Sequence, residues 1–467
     1  MKLYTLWHSL SPRIKQGLKQ WLASPYHNTR EDVRLLYAHL RKYDETAISL
    51  EKTVVFAALY GNAVYNDNWL RHAQSFLLKA MEDYLAYQTM EESSAQKLFF
   101  LAKAYNNLQL EKPFQQTFQA IQTALKTTPL HDANSLQLQN DIEKLWFQNE
   151  AQKSRKAEKN LQIILVSQEK AFAADKLRTV CTAMSYQNLY QLDYDFGVLD
   201  AILSRIEAQS WHKTEPAIAV YYFIYKMNAI EDGFIFFDDL RAEMTQNIQS
   251  FEKYEQRNIF IFAINYTIKQ CNKGNQTFFR KLFDLYKEGI ESHILIDNNG
   301  ELSPYTYKNM VATGLRIGEI DYAFHFLETY KDKMPIENRK NFYEYNLARY
   351  YFTIKHFTQA LPLLEKLTYG DIFFQLDAKV MLLKLYYQLD DYDKLDLTLQ
   401  NFQQFLHRKK ELLSYHQQNY LNIIYCFKQL ITYDTLDKAA VLSLKTEIST
   451  LNPLTEREWL LSNVKPV

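Results

Sequence analysis

Apolar residues recur at helical spacing from the start of the chain. Ile14 and Leu18 share one stripe of a helix that the pattern predicts from about Pro12 to Ala23. Ser11 stands where an N-cap residue is preferred, and proline is favoured in a first turn. A second stripe predicts another helix from about Arg30 to Tyr43.

The chain then predicts paired helices joined by short connectors. The first pairs cover 51–66 with 68–88 and 94–108 with 112–126. A helical pattern runs through 134–173, and a further pair is predicted from 175–192 with 194–209. Further helical patterns cover 215–250, 256–269 and 275–289. The segment 296–301 contains Asn-Gly, which favours a tight turn, and is predicted to be a loop.

The strongest signal of organisation is a repeat between Pro304 and about Leu412. Similar first-helix patterns begin at Tyr307, Glu344 and Lys379, which gives offsets of 37 and 35 residues. Each unit predicts two amphipathic helices that can bury their apolar stripes only by stacking on neighbours. Small residues at Ala323 and Ala360 are expected to let the two helices of a unit approach closely.

This spacing resembles the tetratricopeptide repeat (TPR), whose period is 34, and Gly314 to Pro335 also resembles a pentatricopeptide repeat. Leu347-Ala348 with Tyr351, and Leu101-Ala102 with Tyr105, match the TPR first-helix pattern. The Leu-Gly-x-x-Tyr motif is never complete, so the repeats are degenerate. The segments 24–28 and 302–309 also resemble those of a group of uncharacterised bacterial TPR-like proteins.

The resemblance implies an all-α fold, an α-α superhelix in which antiparallel helix hairpins stack as a TPR-like solenoid. We divide the chain into an N-terminal segment of degenerate hairpins (1–170), middle hairpins (171–300) and C-terminal TPR-like repeats (301–467). The three parts are expected to form one continuous solenoid.

Composition supports helices and limits function. The chain has 467 residues but only 10 glycines and 10 prolines, too few for the turns of an all-β protein or for glycine-rich βα loops. Lys+Arg and Asp+Glu are both 54, and this balance counts against a dedicated nucleic-acid binder.

Cysteine usage and hydropathy bear on location. The three cysteines, Cys181, Cys271 and Cys426, are far apart and form no CxxC pair, which is typical of free thiols in a reducing compartment. The N-terminus lacks the pattern of a signal peptide, and no run of eighteen apolar residues occurs. We therefore expect a cytoplasmic protein without membrane insertion.

No local motif for catalysis was found. Phosphate-loop, dinucleotide, nucleophile-elbow and His-Glu-x-x-His patterns are missing, and the histidines have no zinc-ligand spacing. Adjacent acidic pairs such as Asp238-Asp239 point about 100° apart on a helix and suit helix starts rather than a dyad. We expect a non-enzymatic protein with no cofactor, no metal and no catalytic residue.

First helices of TPR units line the concave face, and this resemblance assigns a peptide-binding groove. Its predicted residues are Tyr305, Lys308, Asn309, Arg316, Tyr345, Asn346, Arg349, Lys384 and Tyr387. Lys308 and Asn346 match positions of the TPR clamp for a peptide carboxylate. Ala312, Asp377 and Met381 occupy the other clamp positions, so a true clamp is not expected.

These residues predict a scaffold or adaptor that binds another protein or an extended peptide, acidic in character, with no nucleic-acid partner. Two alternatives stay open. One is RNA binding of the pentatricopeptide kind, and the other is an enzyme whose site is assembled from distant helices.

Overall fold

The fold is entirely helical in the described part of the chain. The computed structural model describes residues 2–127, 131–153, 160–190, 192–297, 299–367, 372–409, 416–433 and 437–464. These ranges contain twenty-four α-helices and no β-strand, which confirms the all-α expectation. Three short 3-10 helices cover Gly233–Phe236, Ile248–Ser250 and Lys331–Lys333. None of the described helices is both long and apolar enough to span a lipid bilayer.

The α-helices, in chain order, are α1 Lys2–Ser9, α2 Pro12–Ala23, α3 Glu31–Thr46, α4 Lys52–Tyr60, α5 Asp67–Glu92, α6 Ser94–Asn107, α7 Glu111–Thr127, α8 Ala133–Lys153, α9 Leu161–Tyr190, α10 Leu199–Ala208, α11 Trp211–Thr214, α12 Pro216–Ala229, α13 Phe237–Asn247, α14 Lys253–Asn272, α15 Thr277–Glu291, α16 Pro304–Arg316, α17 Ile320–Tyr330, α18 Ile336–Thr353, α19 Phe357–Glu365, α20 Ile372–Gln388, α21 Tyr392–Arg408, α22 His416–Thr432, α23 Lys438–Thr450 and α24 Arg457–Asn463.

Local signals in the sequence place several of these boundaries. The Ser11 side chain accepts a hydrogen bond from the Ile14 amide at the start of α2, as expected of an N-cap. The predicted break near residue 174 is wrong, because α9 continues from Leu161 to Tyr190. Its middle contains alanines, good helix formers, and no glycine or proline, so nothing local stops the helix. The predicted loop at 296–301 is confirmed by a bridge between Ile296 and Leu302, with Gly300 at φ +78°.

The chain divides into two compact units, residues 1–129 with 134–171, and residues 130–133 with 172–467. In the first unit, α1 to α5 build one apolar core that includes Trp7 and Leu36. The helices α6 to α8 build a second core that includes Phe114.

The second unit is a series of sequential hairpins. The pairs are α12 with α13, α14 with α15, α16 with α17, α18 with α19, and α20 with α21. Contacts also join α12 to α14, α16 to α18 and α18 to α20, which gives a repeat-like arrangement.

Small residues set the close approach inside these hairpins. Ala323 and Ala360 are fully buried, as the repeat predicted. A Cβ placed on Gly314 of α16 would lie 3.2 Å from the Ala323 Cβ of α17, so the two helices are in direct contact there.

Candidate functional site

The nine residues predicted for the groove lie on three successive first helices of the second unit. Helix α16 provides Tyr305, Lys308, Asn309 and Arg316. Helix α18 provides Tyr345, Asn346 and Arg349, and helix α20 provides Lys384 and Tyr387. Because α18 contacts both α16 and α20, the repeat brings these three helices together.

Tyr345 and Asn346 are part of the interior, and Lys384 is also buried, at 9% exposed. Tyr345 is 1% exposed, and its ring packs edge-on to Phe374 with the ring centroids 5.2 Å apart. Asn346 is fully buried, and its Nδ2 donates a hydrogen bond of 2.7 Å to the carbonyl of Phe342. Neither side chain can touch a partner, because other parts of the unit cover both.

Tyr305, Asn309 and Lys308 lie nearer the surface of α16. The Tyr305 ring is 40% exposed, and the ammonium of Lys308 lies 5.4 Å from its centroid. Asn309 donates a hydrogen bond of 3.0 Å to the hydroxyl of Tyr286, so its amide is tied to the preceding hairpin.

The four predicted cations, Lys308, Arg316, Arg349 and Lys384, are here called the basic face. Three of them pair with carboxylates of the same chain. The Lys308 Nζ lies 2.5 Å from Asp377 Oδ2, which links α16 to α20. Two further pairs join Lys384 to Glu456 and Arg316 to Glu458.

The two glutamates belong to residues 452–464, here called the acidic segment, which includes α24. Its carboxylates lie beside two cations of the basic face, and its Trp459 ring lies 5.3 Å from the Lys384 ammonium and 5.7 Å from the Tyr387 ring. The chain therefore places a segment of its own, with two glutamates and a tryptophan, against the predicted groove.

The acidic segment is held by hydrogen bonds and by burial. Asn422 donates to the carbonyl of Pro453 at 2.9 Å, and Asn419 accepts from the Thr455 amide at 2.9 Å. Leu460 is fully buried, and Val464 is 2% exposed within the core built by α20 to α24. Burying such side chains stabilises the fold by about 1.5–3 kcal/mol each, so the segment is a fixed part of the unit.

Arg349 differs from the other three cations. Its guanidinium forms no ion pair within the described ranges and lies 5.6 Å from the Tyr345 ring. A cavity of about 30 Å³ lies next to it, lined also by Asp377, Tyr420 and Glu456. That volume has room for roughly two water molecules and is too small to enclose a ligand.

The charges of this cluster are fixed at neutral pH. Burial by itself raises the pKa of Glu456, but Lys384 and Arg349 more than offset this, and the pKa lies below its ordinary value. Burial, with the charge of Asp377 next in size, raises the pKa of the Tyr420 hydroxyl. Both shifts move the pKa of the group further from pH 7. A general acid or base works best with a pKa near the working pH. The arrangement suits charge recognition.

Sequence reasoning missed the acidic segment. Glu456, Glu458 and Trp459 stand within four residues of one another, but nothing in their spacing indicates which cations they meet. Among the described residues, no group of three or more His, Cys, Asp and Glu side chains could hold a metal ion.

No protein-family model matches the chain, and neither a curated protein nor a solved structure shows detectable similarity to it.

Proposed function

We propose that the chain is a non-enzymatic interaction scaffold, a TPR-like solenoid of helix hairpins that binds an acidic segment of a partner protein on the basic face. The observation behind this proposal is the acidic segment itself. Its Glu456 and Trp459 both meet Lys384, so this face already accepts a segment that carries a carboxylate and an aromatic ring. Helical-repeat surfaces commonly bind segments of other proteins in this way.

Arg349 and Tyr305 mark the part of the face that a partner would use. The paired lysines are committed to carboxylates of the same chain, whereas Arg349 has no such partner within the described ranges. Guanidinium groups bind carboxylates through two parallel hydrogen bonds, which adds geometric specificity. The exposed ring of Tyr305 offers an apolar contact on the neighbouring helix α16.

The ion pairs also decide which variants can test the proposal. Reversing Lys308 or Lys384 to glutamate would put two negative charges side by side in a half-buried setting and would damage the fold. Arg349→Gln removes a charge without breaking an ion pair, and Arg257→Gln is its matched control. Arg257 is also a half-buried arginine on a helix of the second unit and has no ion pair in the described ranges.

The test is site-specific photo-crosslinking in extract from the source organism. A photoreactive phenylalanine analogue replaces Tyr305 in one preparation and the 91% exposed Tyr26 of the first unit in another. We expect a protein crosslinked at position 305 but not at 26, lost with Arg349→Gln and kept with Arg257→Gln. A crosslink dominated by RNA, or equal protein labelling at both positions, would overturn the proposal.

The thiols fit the cytoplasmic location that we propose. Cys181, Cys271 and Cys426 are all free and buried. Burial raises the pKa of Cys271 to about 11, and burial, with Glu447 next, raises that of Cys426 to about 11. Both thiols are therefore protonated and poorly nucleophilic at neutral pH, as expected of structural cysteines.

A further inference from the structure

The second unit contains a second polar cavity, separate from the basic face. It has a volume of about 310 Å³ and lies where the end of α12 meets the last two turns of α14. Its walls come from 227–231 on one side and from Tyr266, Lys269, Gln270 and Lys273 on the other. Small-molecule pockets commonly begin at about this volume.

One buried polar group in this wall has no partner. Tyr266 is 3% exposed, and its hydroxyl forms no normal hydrogen bond within the described residues. Gln270, 7% exposed, approaches that hydroxyl from the next turn of α14 without satisfying it. A buried hydroxyl left in this state costs stability unless something in the cavity accepts its hydrogen.

Two lysines line the same cavity as Tyr266. Lys269 lies in the last turn of α14, Lys273 is the C-cap residue four positions later, and neither forms an ion pair within the described ranges. Burial and the charge of Lys273 both lower the pKa of Lys269. Like charges at this spacing repel each other, so a bound anion would relieve the repulsion. The lysines of the basic face are already neutralised by carboxylates of the same chain, so a bound anion would relieve no repulsion there.

We propose that this cavity binds a small molecule through an oxyanion, a phosphate or a carboxylate, held between Lys269 and Lys273. The Tyr266 hydroxyl donates a hydrogen bond to one oxygen of that group. Glu231 lies in the opposite wall. Its carboxylate disfavours a second negative charge and accepts hydrogen bonds from hydroxyl groups, so the rest of the ligand is neutral and hydroxylated.

Isothermal titration calorimetry of the full chain tests this with three probes of one carbon skeleton: glycerol 3-phosphate, glycerate and glycerol. We expect saturable binding of at least one of the two anions below about 10 mM and none of glycerol. The anion with the higher affinity shows whether the site prefers phosphate or carboxylate. Lys269→Gln with Lys273→Gln should weaken binding at least about tenfold. The control, Lys103→Gln with Lys112→Gln, removes two exposed lysines of the first unit that form no ion pair with any described residue, and it should bind as the wild type does.

Tyr266→Phe separates a binding site from a packing defect. Without ligand the variant should melt at or above the wild-type temperature, because an unsatisfied buried hydroxyl is gone. With the preferred anion, binding should be about tenfold weaker, since a hydrogen bond to a charged group is lost. Saturable binding that survives the double lysine substitution, or no heat from either anion, overturns the proposal.

Discussion

Replacing Lys384 by methionine should destabilise the second unit strongly. The lysine side chain is 11% exposed and the Glu456 side chain 23%, and their charged atoms lie 2.5 Å apart. Removing one partner of a buried ion pair leaves the other charge unpaired and costs about 3–5 kcal/mol. Methionine keeps the unbranched apolar stem but also removes the ammonium from beside the Phe352 and Trp459 rings, so lost cation–π contacts add to the cost of the stranded carboxylate. Because some water reaches Glu456, we expect about 3 kcal/mol.

The assay is urea unfolding followed by tryptophan fluorescence, with hydrogen exchange of residues 452–464 to detect local opening. Lys394→Met is the matched control, because Lys394 pairs with Asp391 at 3.3 Å with side chains 54% and 34% exposed. Such a surface pair contributes below about 1 kcal/mol. Combining Lys384→Met with Glu456→Gln should recover much of the stability, since no charge is then stranded. If Lys384→Met costs no more than the control, the reasoning about this pair is refuted.

Three further predictions concern pH, packing and a buried hydrogen bond. The pKa of Glu456 is held below its ordinary value of 4.5, so its contribution to the free energy of unfolding is present above that pH and is lost as the pH falls through the folded pKa. In a series of urea titrations, the difference in stability between wild type and Glu456→Gln should therefore narrow between about pH 5 and pH 3. A constant difference would contradict this. Gly233→Ala should cost about 1–3 kcal/mol in the same assay, because its Cβ would lie 2.4 Å from the Met227 carbonyl oxygen, and an unchanged midpoint would show that the backbone yields freely. Tyr221→Phe should cost about 1–3 kcal/mol, because it removes a hydrogen bond of 2.9 Å to the buried carboxylate of Glu255, and a neutral effect in thermal melts would show that water replaces the hydroxyl.

The helices and their pairing were predictable because their causes are local. Ser11 caps α2 through an amide three residues away, and an apolar stripe every three or four residues sets which side is buried. The small residues at Ala323 and Ala360 were likewise identified by their place in the repeat. The continuity of α9 through residue 174 was missed although its cause is also local, because no helix-stopping residue stands there.

The ion pairing of the predicted groove cations was not predictable, because their carboxylate partners are far along the chain. Lys308 meets Asp377 across 69 positions, and Lys384 meets Glu456 across a similar distance. No periodic pattern links residues at such separations, since each pair depends on how several hairpins stack. The burial of Asn346 was unpredictable for the same reason. The repeat pattern predicted that Asn346 lies on a helix, but not that neighbouring helices cover it.

Pairing separates the basic residues of the second unit into those that stabilise and those that can bind. A lysine already in contact with a carboxylate gains little from a second anion, because the new contact must replace or share the first. Lys384 is in that position, although the repeat placed it in the predicted groove. Arg349 and the Lys269–Lys273 pair form no ion pair among the described residues, and each lies on a cavity with a tyrosine in its wall. The two cavities differ in volume, about 30 Å³ beside Arg349 and about 310 Å³ beside the lysine pair, so we propose different ligands for the two sites. Arg349 can meet a side chain that reaches it from outside, whereas the lysine pair has room for a whole small molecule.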